Sequence, residues 1–249
     1  MSYDYEDPFF AGRSALVTGS GKGIGRAITK QLHILGAQVY AISRTQSDLE
    51  SLASECPGIL TYCLDLSDWK KTEDVVKTLP PLDCLVNNAG VTSLESFLET
   101  KAESFERVMK TNVQSVLNVS QVVAKHMIKR GAHGSIVNVS SVASTRALNL
   151  HTSYCASKAA LDSLTRSMAL ELGPHKIRVN SVNPTVVMTD MGKLAWSDPD
   201  KSEPILNRIP LGKFVEVEDV VNAILFLLSD RSSMINGVHL PIEGGLFVS

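Results

Sequence analysis

The chain has 249 residues, 44% of them hydrophobic, and a formal net charge of −2 at pH 7. That length suits a single α/β domain with a sizeable core, and the near-neutral charge argues against a polyanionic partner such as nucleic acid. The four cysteines, Cys56, Cys63, Cys84 and Cys155, form neither a C-x-x-C pair nor a disulfide-like framework, as expected in a reducing compartment.

Residues 1–10 are acidic and aromatic and are read as a short N-terminal extension. They lack the basic start and apolar core of a signal peptide. The most apolar run, near 223–228, falls far short of the ~18 residues that a membrane span needs. A cytoplasmic location is expected, with peripheral membrane association left open.

Short apolar runs at 15–18, 39–43, 60–64, 84–87, 135–140, 178–183 and 238–240 read as strands. Helical patterns lie between them, near 24–35, 48–55, 69–78, 102–130, 153–172 and 217–228. Strands alternating with helices imply βαβ crossovers. The expected fold is a doubly wound, mostly parallel, seven-stranded Rossmann-type sheet with helices on both faces, forming one domain over 11–249. Residues 185–212 break the rhythm with Trp196, Pro199, Pro204 and Pro210. This stretch reads as an inserted loop with short helices. Because sites in such sheets lie beyond the carboxyl ends of the strands, it is placed as a lid. A plain surface excursion is the alternative.

The first strand is followed by Thr18-Gly19-Ser20-Gly21-Lys22-Gly23-Ile24-Gly25. Gly19, Gly23 and Gly25 form a G-x-x-x-G-x-G variant between strand and helix, where a dinucleotide pyrophosphate would meet a helix N-terminus. The bland alternative is an ordinary glycine-rich turn. At the end of the second strand an acidic residue would bind the ribose 2′-hydroxyl of NAD. The chain instead has Ser43-Arg44-Thr45. Arg44 can fork onto a 2′-phosphate, and Lys22 could add a second charge, so NADP(H) is the expected cofactor.

Tyr154 and Lys158 stand four residues apart in Tyr-Cys-Ala-Ser-Lys, near the start of a helical stretch. Positions i and i+4 share a helix face. A fixed ammonium beside a phenol favours the phenolate and should lower a pKa that is ordinarily about 10, making the pair a tuned general acid or base. Alone, such a pair is more often a solvated helix face.

Together, the glycine turn at 18–25, Asn87-Asn88-Ala89-Gly90, Asn112, Ser141, Tyr154 and Lys158 resemble the short-chain dehydrogenase/reductase family in order and spacing, over 12–245. The resemblance implies that Tyr154 protonates a carbonyl oxygen while NADPH delivers hydride to its carbon. It implies that Lys158 holds the nicotinamide ribose and lowers the Tyr154 pKa, that Ser141 orients the substrate oxygen, and that Asn112 stabilises a helix distortion and a proton-relay water. For cofactor binding it implies Gly19, Gly21, Lys22, Gly23, Ile24 and Gly25 at the pyrophosphate, and Ser43, Arg44 and Thr45 at the 2′-phosphate. Asp65 and Leu66 would lie at adenine, Asn88, Ala89 and Gly90 at the adenosine ribose, and Pro184, Val187 and Thr189 at nicotinamide. Thr185 stands where many members have glycine, which constrains the backbone there.

Segments 43–46, 55–59, 149–154, 168–189, 195–199 and 207–214 resemble members of the family that reduce ketose sugars and α-dicarbonyls and assemble as homotetramers. That resemblance implies a substrate pocket lined by Ser141, Val142, Leu148, His151, Tyr154 and Trp196, for a small carbonyl substrate and with no metal. His151 reads equally as a solvated loop residue, and Trp196 as lid packing. Apolar positions Val116, Val119, Val123, Leu161, Leu164 and Met168 on two helices exceed what one sheet face needs, but do not separate core from interface. Two rival functions remain: reduction of another ketone (3-oxoacyl, steroid or quinone), and a non-catalytic NADPH sensor. Retention of Tyr154 and Lys158 argues against the sensor.

Overall fold

A computed structural model of the chain describes residues 9–131, 133–189, 192–193 and 196–249. Most of the expected extension, residues 1–8, lies outside the described residues, as do Asp190, Met191, Leu194 and Ala195 of the expected lid.

Seven strands are present: β1 (Ser14–Thr18), β2 (Gln38–Ser43), β3 (Leu60–Cys63), β4 (Cys84–Asn87), β5 (Gly134–Val139), β6 (Ile177–Pro184) and β7 (His239–Ile242). The described helices between them are α1 (Gly23–Ile34), α2 (Gln46–Glu55), α3 (Trp69–Thr78), α4 (Ala102–Met109), α5 (Ser115–Arg130), α6 (Thr152–Leu172), α7 (Pro199–Leu206) and α8 (Val217–Leu228). The sheet order is β3-β2-β1-β4-β5-β6-β7. Every pairing is parallel, so the sheet is wholly rather than mostly parallel.

Strand alternation sorts the core into two layers. Ala15, Val17, Val39, Ala41, Val86, Val137 and Val182 point to one face, where they meet Ile28, Leu32, Leu49, Leu52, Ile224 and Leu227 of α1, α2 and α8. Leu16, Tyr40, Ile42, Leu85, Ile136 and Val179 point to the other, against Val76, Val119, Val123 and Met168 of α3, α5 and α6. Neighbouring residues in one strand are thus apolar on both faces, as a helix-covered parallel sheet requires. Val116, Val119, Val123, Leu161 and Met168 are all buried and Leu164 packs on the core, so these positions leave no apolar surplus for an interface.

The connection reverses direction between β1 and β4, the neighbours at the sheet's centre. That is the switch point where loops after adjacent strands part and leave a crevice. One expected helix, 102–130, is broken in its middle. Lys110–Gln114 form a π turn between α4 and α5, in which Ser115 N donates to Lys110 O, five residues back.

Candidate active site

The loops after β1 and β4 form one hydrogen-bonded unit at the switch point. Asn88 Nδ2 donates to the carbonyls of Thr18 and Gly19, each at 3.1 Å. The backbone N–H groups of Asn88 and Ala89 donate to Thr18 Oγ1 at 3.0 and 3.2 Å. Gly19 has φ +66°, a left-handed conformation that favours glycine. At Gly25 it is space that demands glycine: a Cβ there would lie 2.2 Å from Gly19 O and 2.4 Å from Asn88 Nδ2. The turn therefore lets backbone approach backbone at the start of α1, whose N-cap residue Lys22 makes no capping hydrogen bond through its side chain. Such a cradle of main-chain donors at a helix N-terminus fits a pyrophosphate.

At the carboxyl end of β2, Arg44 and Thr45 are exposed, and Ser43 Oγ lies 2.7 Å from the place a Cβ on Gly21 would take. Lys22 is not a free second cation: its Nζ stands 3.6 Å from Asp48 Oδ2. Sequence reasoning missed Asp48, which sits in the first turn of α2 and beside Gly21. Asp65 is exposed after β3. Burial pushes its carboxyl up, but hydrogen bonds from Ser67 and the Arg44 charge outweigh that and hold it below its ordinary value. Leu66, by contrast, is packed in the core.

Asn112 sits in the π turn with 0% exposure. Its Oδ1 accepts from Val91 N at 2.8 Å, and its Nδ2 donates to Val91 O and Ser157 Oγ, both at 2.9 Å. The amide thus ties the loop after β4 to α6. Gly90 lies between: a Cβ on it would be 3.5 Å from Asn112 Oδ1 and 3.6 Å from Lys158 Nζ.

Lys158 is buried and donates from Nζ to Val139 O at 2.8 Å. Burial pulls its amine down to about 8, against the opposing pull of Asp162. The ammonium stands 5.5 Å from the centre of the Tyr154 ring. The expected lowering of the phenol is not found. Burial holds Tyr154 above its ordinary value, a hydrogen bond with Ser141 works against that, and Cys155 adds to the rise. The physical reason is direction: Lys158 spends its proton on the Val139 carbonyl and stands at the ring face, while the hydroxyl is desolvated.

Ser141 follows β5 and caps a short 3-10 turn by accepting from Ala143 N at 3.1 Å. Its Oγ donates weakly to Pro184 O at 3.4 Å, so the loop after β5 meets the end of β6. Thr185 N donates to Ile242 O at 3.0 Å, and Thr185 is not among the residues with positive φ, so its side chain costs the backbone nothing. Thr189 reaches the glycine turn, its Cγ2 lying 3.1 Å from where a Cβ on Gly23 would be. Val187 pairs with Val215 in an isolated bridge.

The substrate residues divide. Val142 is buried behind Ser141, and the His151 ring makes an edge contact with Tyr154, centroids 6.0 Å apart. His151 Nδ1 is bonded to Asn149 O at 2.6 Å, and His151 bridges to Glu95. Leu148 is exposed on the same loop. Trp196 instead packs on Phe214, ring centroids 5.6 Å apart, within a small cluster that includes Ile209 and Leu246. The structure therefore brings Ser141, Tyr154, Lys158, Asn112, His151 and the glycine turn to one end of the sheet, and packs Trp196 against Phe214 and its cluster instead.

Residues 19–247 match the family described as Enoyl-(Acyl carrier protein) reductase. L-xylulose reductase of Homo sapiens is 60% identical over 96% of this chain and 98% of its own length. D-erythrulose reductase of Gallus gallus is 60% identical over 98% of this chain and 99% of its own. Among solved structures, a gluconate 5-dehydrogenase from Burkholderia cenocepacia in complex with NADP and tartrate superposes with a TM-score of 0.90 at 30% identity, covering 97% of this chain and 98% of that one. The all-parallel sheet, the glycine turn at its switch point and full-length likeness to these reductases establish that the chain belongs to the short-chain dehydrogenase/reductase family.

Proposed function

We propose that the chain is an NADPH-dependent carbonyl reductase acting on small ketoses and α-dicarbonyls, with L-xylulose, reduced to xylitol, as the leading sugar substrate and diacetyl as a representative dicarbonyl. The observation that carries the reading is the meeting of a protonated Tyr154 with Ser141, beside a buried Lys158 and a glycine turn fit for a dinucleotide. The relatives named as reductases of L-xylulose and D-erythrulose, both short ketoses, support the substrate class. The NADP carried by the gluconate 5-dehydrogenase supports the cofactor.

Bound NADPH would supply the hydride. The glycine turn would hold its pyrophosphate, Arg44 its 2′-phosphate, Asp65 and Leu66 the adenine end, and Asn88, Ala89 and Gly90 the neighbouring ribose. Pro184, Val187 and Thr189 would flank the nicotinamide end. Ser141 and Tyr154 would both bond the substrate oxygen, and as negative charge develops there the Tyr154 hydroxyl gives up its proton. A phenol held above its ordinary value is fully protonated at neutral pH, so it enters the reduction as an acid. The Lys158 ammonium would bond the ribose and stabilise the phenolate left behind. Asn112, through Val91 and Ser157, would hold the Gly90 loop against α6. His151 and Leu148 would border the substrate, and residues 185–212, anchored on the Trp196–Phe214 contact, would cover it.

The N-terminal extension, a homotetrameric assembly and a cytoplasmic location belong to the same reading. Among the described residues no helix is long and apolar enough to cross a membrane. The test is the initial rate of NADPH oxidation with L-xylulose, D-erythrulose, diacetyl and a 3-oxoacyl thioester, each repeated with NADH. Turnover of the ketoses and diacetyl with strong NADPH preference supports the reading. A preference for the thioester would move the chain to acyl substrates, and no turnover of any carbonyl would leave a nucleotide-binding protein without this activity.

A further inference from the structure

Lys158 is buried, and burial penalises its charge. A buried cation needs a counter-charge or it surrenders its proton. Tyr154, at its other side, is neutral at pH 7. One turn further along α6 stands Asp162, with 4% exposure, on the same face by the i, i+4 rule. Among the described residues it is the charged group whose field supports the Lys158 ammonium.

The Asp162 side chain is 5% exposed, and β6 lies against it. Asn183 Nδ2 donates to Oδ2 at 2.8 Å, and Ser181 Oγ lies 3.5 Å from Oδ1. His239 of β7 approaches Oδ1 at 3.7 Å. Its ring is not a competing cation. Burial, with the Arg166 charge, lowers its pKa against the pull of Asp162, so it is neutral at pH 7. The tautomer also follows from geometry. Arg166 Nη1 lies 2.7 Å from His239 Nε2, and a guanidinium only donates, so Nε2 accepts and the ring proton is on Nδ1. That proton points to Ser181 Oγ at 2.8 Å, which in turn donates to Asn183 Oδ1 at 2.8 Å. The hydrogen bonds therefore run one way, from Arg166 at the surface to Asn183, fixing the amide so that its donors face Asp162 and the Ser141 carbonyl, the latter at 3.2 Å.

We propose that Asp162 is a positioning residue for the reaction: the buried counter-charge of the Lys158 ammonium, held in place by the Asn183–Ser181–His239–Arg166 chain. The proposal rests on the carbonyl reductase reading for its role in turnover, but its physical content belongs to the cofactor-free protein.

The test is a titration of that protein labelled with 13C at lysine Cε, with the Lys158 resonance identified by its loss in Lys158→Met. In the native chain the resonance titrates near pH 8. In Asp162→Asn, which keeps the shape and removes the charge, its midpoint moves to lower pH by roughly one unit, while Asp162→Glu keeps it near the native value. If the amide variant does not fold, Asp162→Ser carries the same expectation. An unchanged or higher midpoint in the neutral variant overturns the proposal whether or not the native chain reduces a carbonyl. Where diacetyl is reduced, the same variant loses activity at lower pH than the native enzyme. Failure of the native chain to reduce any carbonyl tells against the functional reading alone, because the titration is read without cofactor or substrate.

Discussion

Lys158 Nζ donates to the Val139 carbonyl oxygen at 2.8 Å and stands 5.5 Å from the centre of the Tyr154 ring. The pair that dominates the sequence is thus a ring-face contact with the ammonium anchored to the strand. Its energetics follow from burial more than from mutual attraction.

One consequence is a pH-dependent stability. Unfolded, the Lys158 amine titrates at its ordinary 10.5, and folded at about 8. Between those values the unfolded chain binds more protons, so stability rises with pH across that window, and below it the folded state bears the full cost of the buried charge. Compared with Lys158→Met, the native cofactor-free chain should gain about 2 kcal/mol between pH 7 and 9.5, or about 5 °C in relative Tm. Melting curves of both proteins at the two pH values read this directly. A constant difference in Tm would show that Lys158 titrates normally.

Tyr154→Phe keeps the ring and its contact with His151 but removes the proton that the reduction needs. Turnover of diacetyl should fall by about 10²–10⁴-fold, while the Kd for NADPH stays within a few-fold of native. Ser141→Ala should also lower kcat, and by removing the hydrogen bond that opposes the burial effect it should leave the Tyr154 phenol higher still. Steady-state kinetics with fluorescence titration of NADPH separate the two quantities.

The glycine turn makes a steric prediction. A Cβ at Gly25 would lie 2.2 Å from Gly19 O, and neither backbone can yield without moving the Asn88 anchor. Gly25→Ala should therefore abolish the rise in Tm that saturating NADPH gives the native chain, a rise worth about 2.7 kcal/mol at a hundredfold excess over Kd. A full ligand-induced shift in the variant would mean that the nucleotide is held elsewhere.

Arg44 and Lys22 should contribute unequally to the 2′-phosphate. Arg44 is exposed, whereas Lys22 is drawn to Asp48 at 3.6 Å. Arg44→Asp should weaken NADPH far more than NADH, and Lys22→Ala should change the NADPH Kd by less than Arg44→Ala does. Equal losses for both cofactors in Arg44→Asp would remove the assignment of that residue.

The sheet was legible because each strand carries apolar residues on both faces, and Leu16, Leu85 and Ile136 alternate with Ala15, Val86 and Val137 between the two core layers. Boundaries shifted by a residue or two. The break in the helix over 102–130 could not be read from periodicity, because the π turn depends on Asn112 bonding Val91, a residue 21 positions away. The Tyr154–Lys158 spacing anticipated that the two side chains meet on one face of α6 but misjudged the phenol, since spacing does not say which carbonyl the ammonium will find. Asp48 and Asp162 went unnoticed for different reasons. Asp48 meets Lys22 only once α2 folds beside the glycine turn. Asp162 was open to the same i, i+4 rule that paired Tyr154 with Lys158, applied one turn further on.

In the proposed reaction Tyr154 and the neighbouring residues direct a hydride from NADPH onto a substrate carbonyl carbon. The most direct measurement supplies NADPH deuterated at its transferring position together with diacetyl, and reads the product by mass spectrometry for the native chain and for Tyr154→Phe. One deuterium is expected on the new carbinol carbon with the native chain, and almost no product from a variant that still binds NADPH. Cofactor oxidation without deuterium in the product, or a Tyr154→Phe chain as fast as the native one, would contradict it.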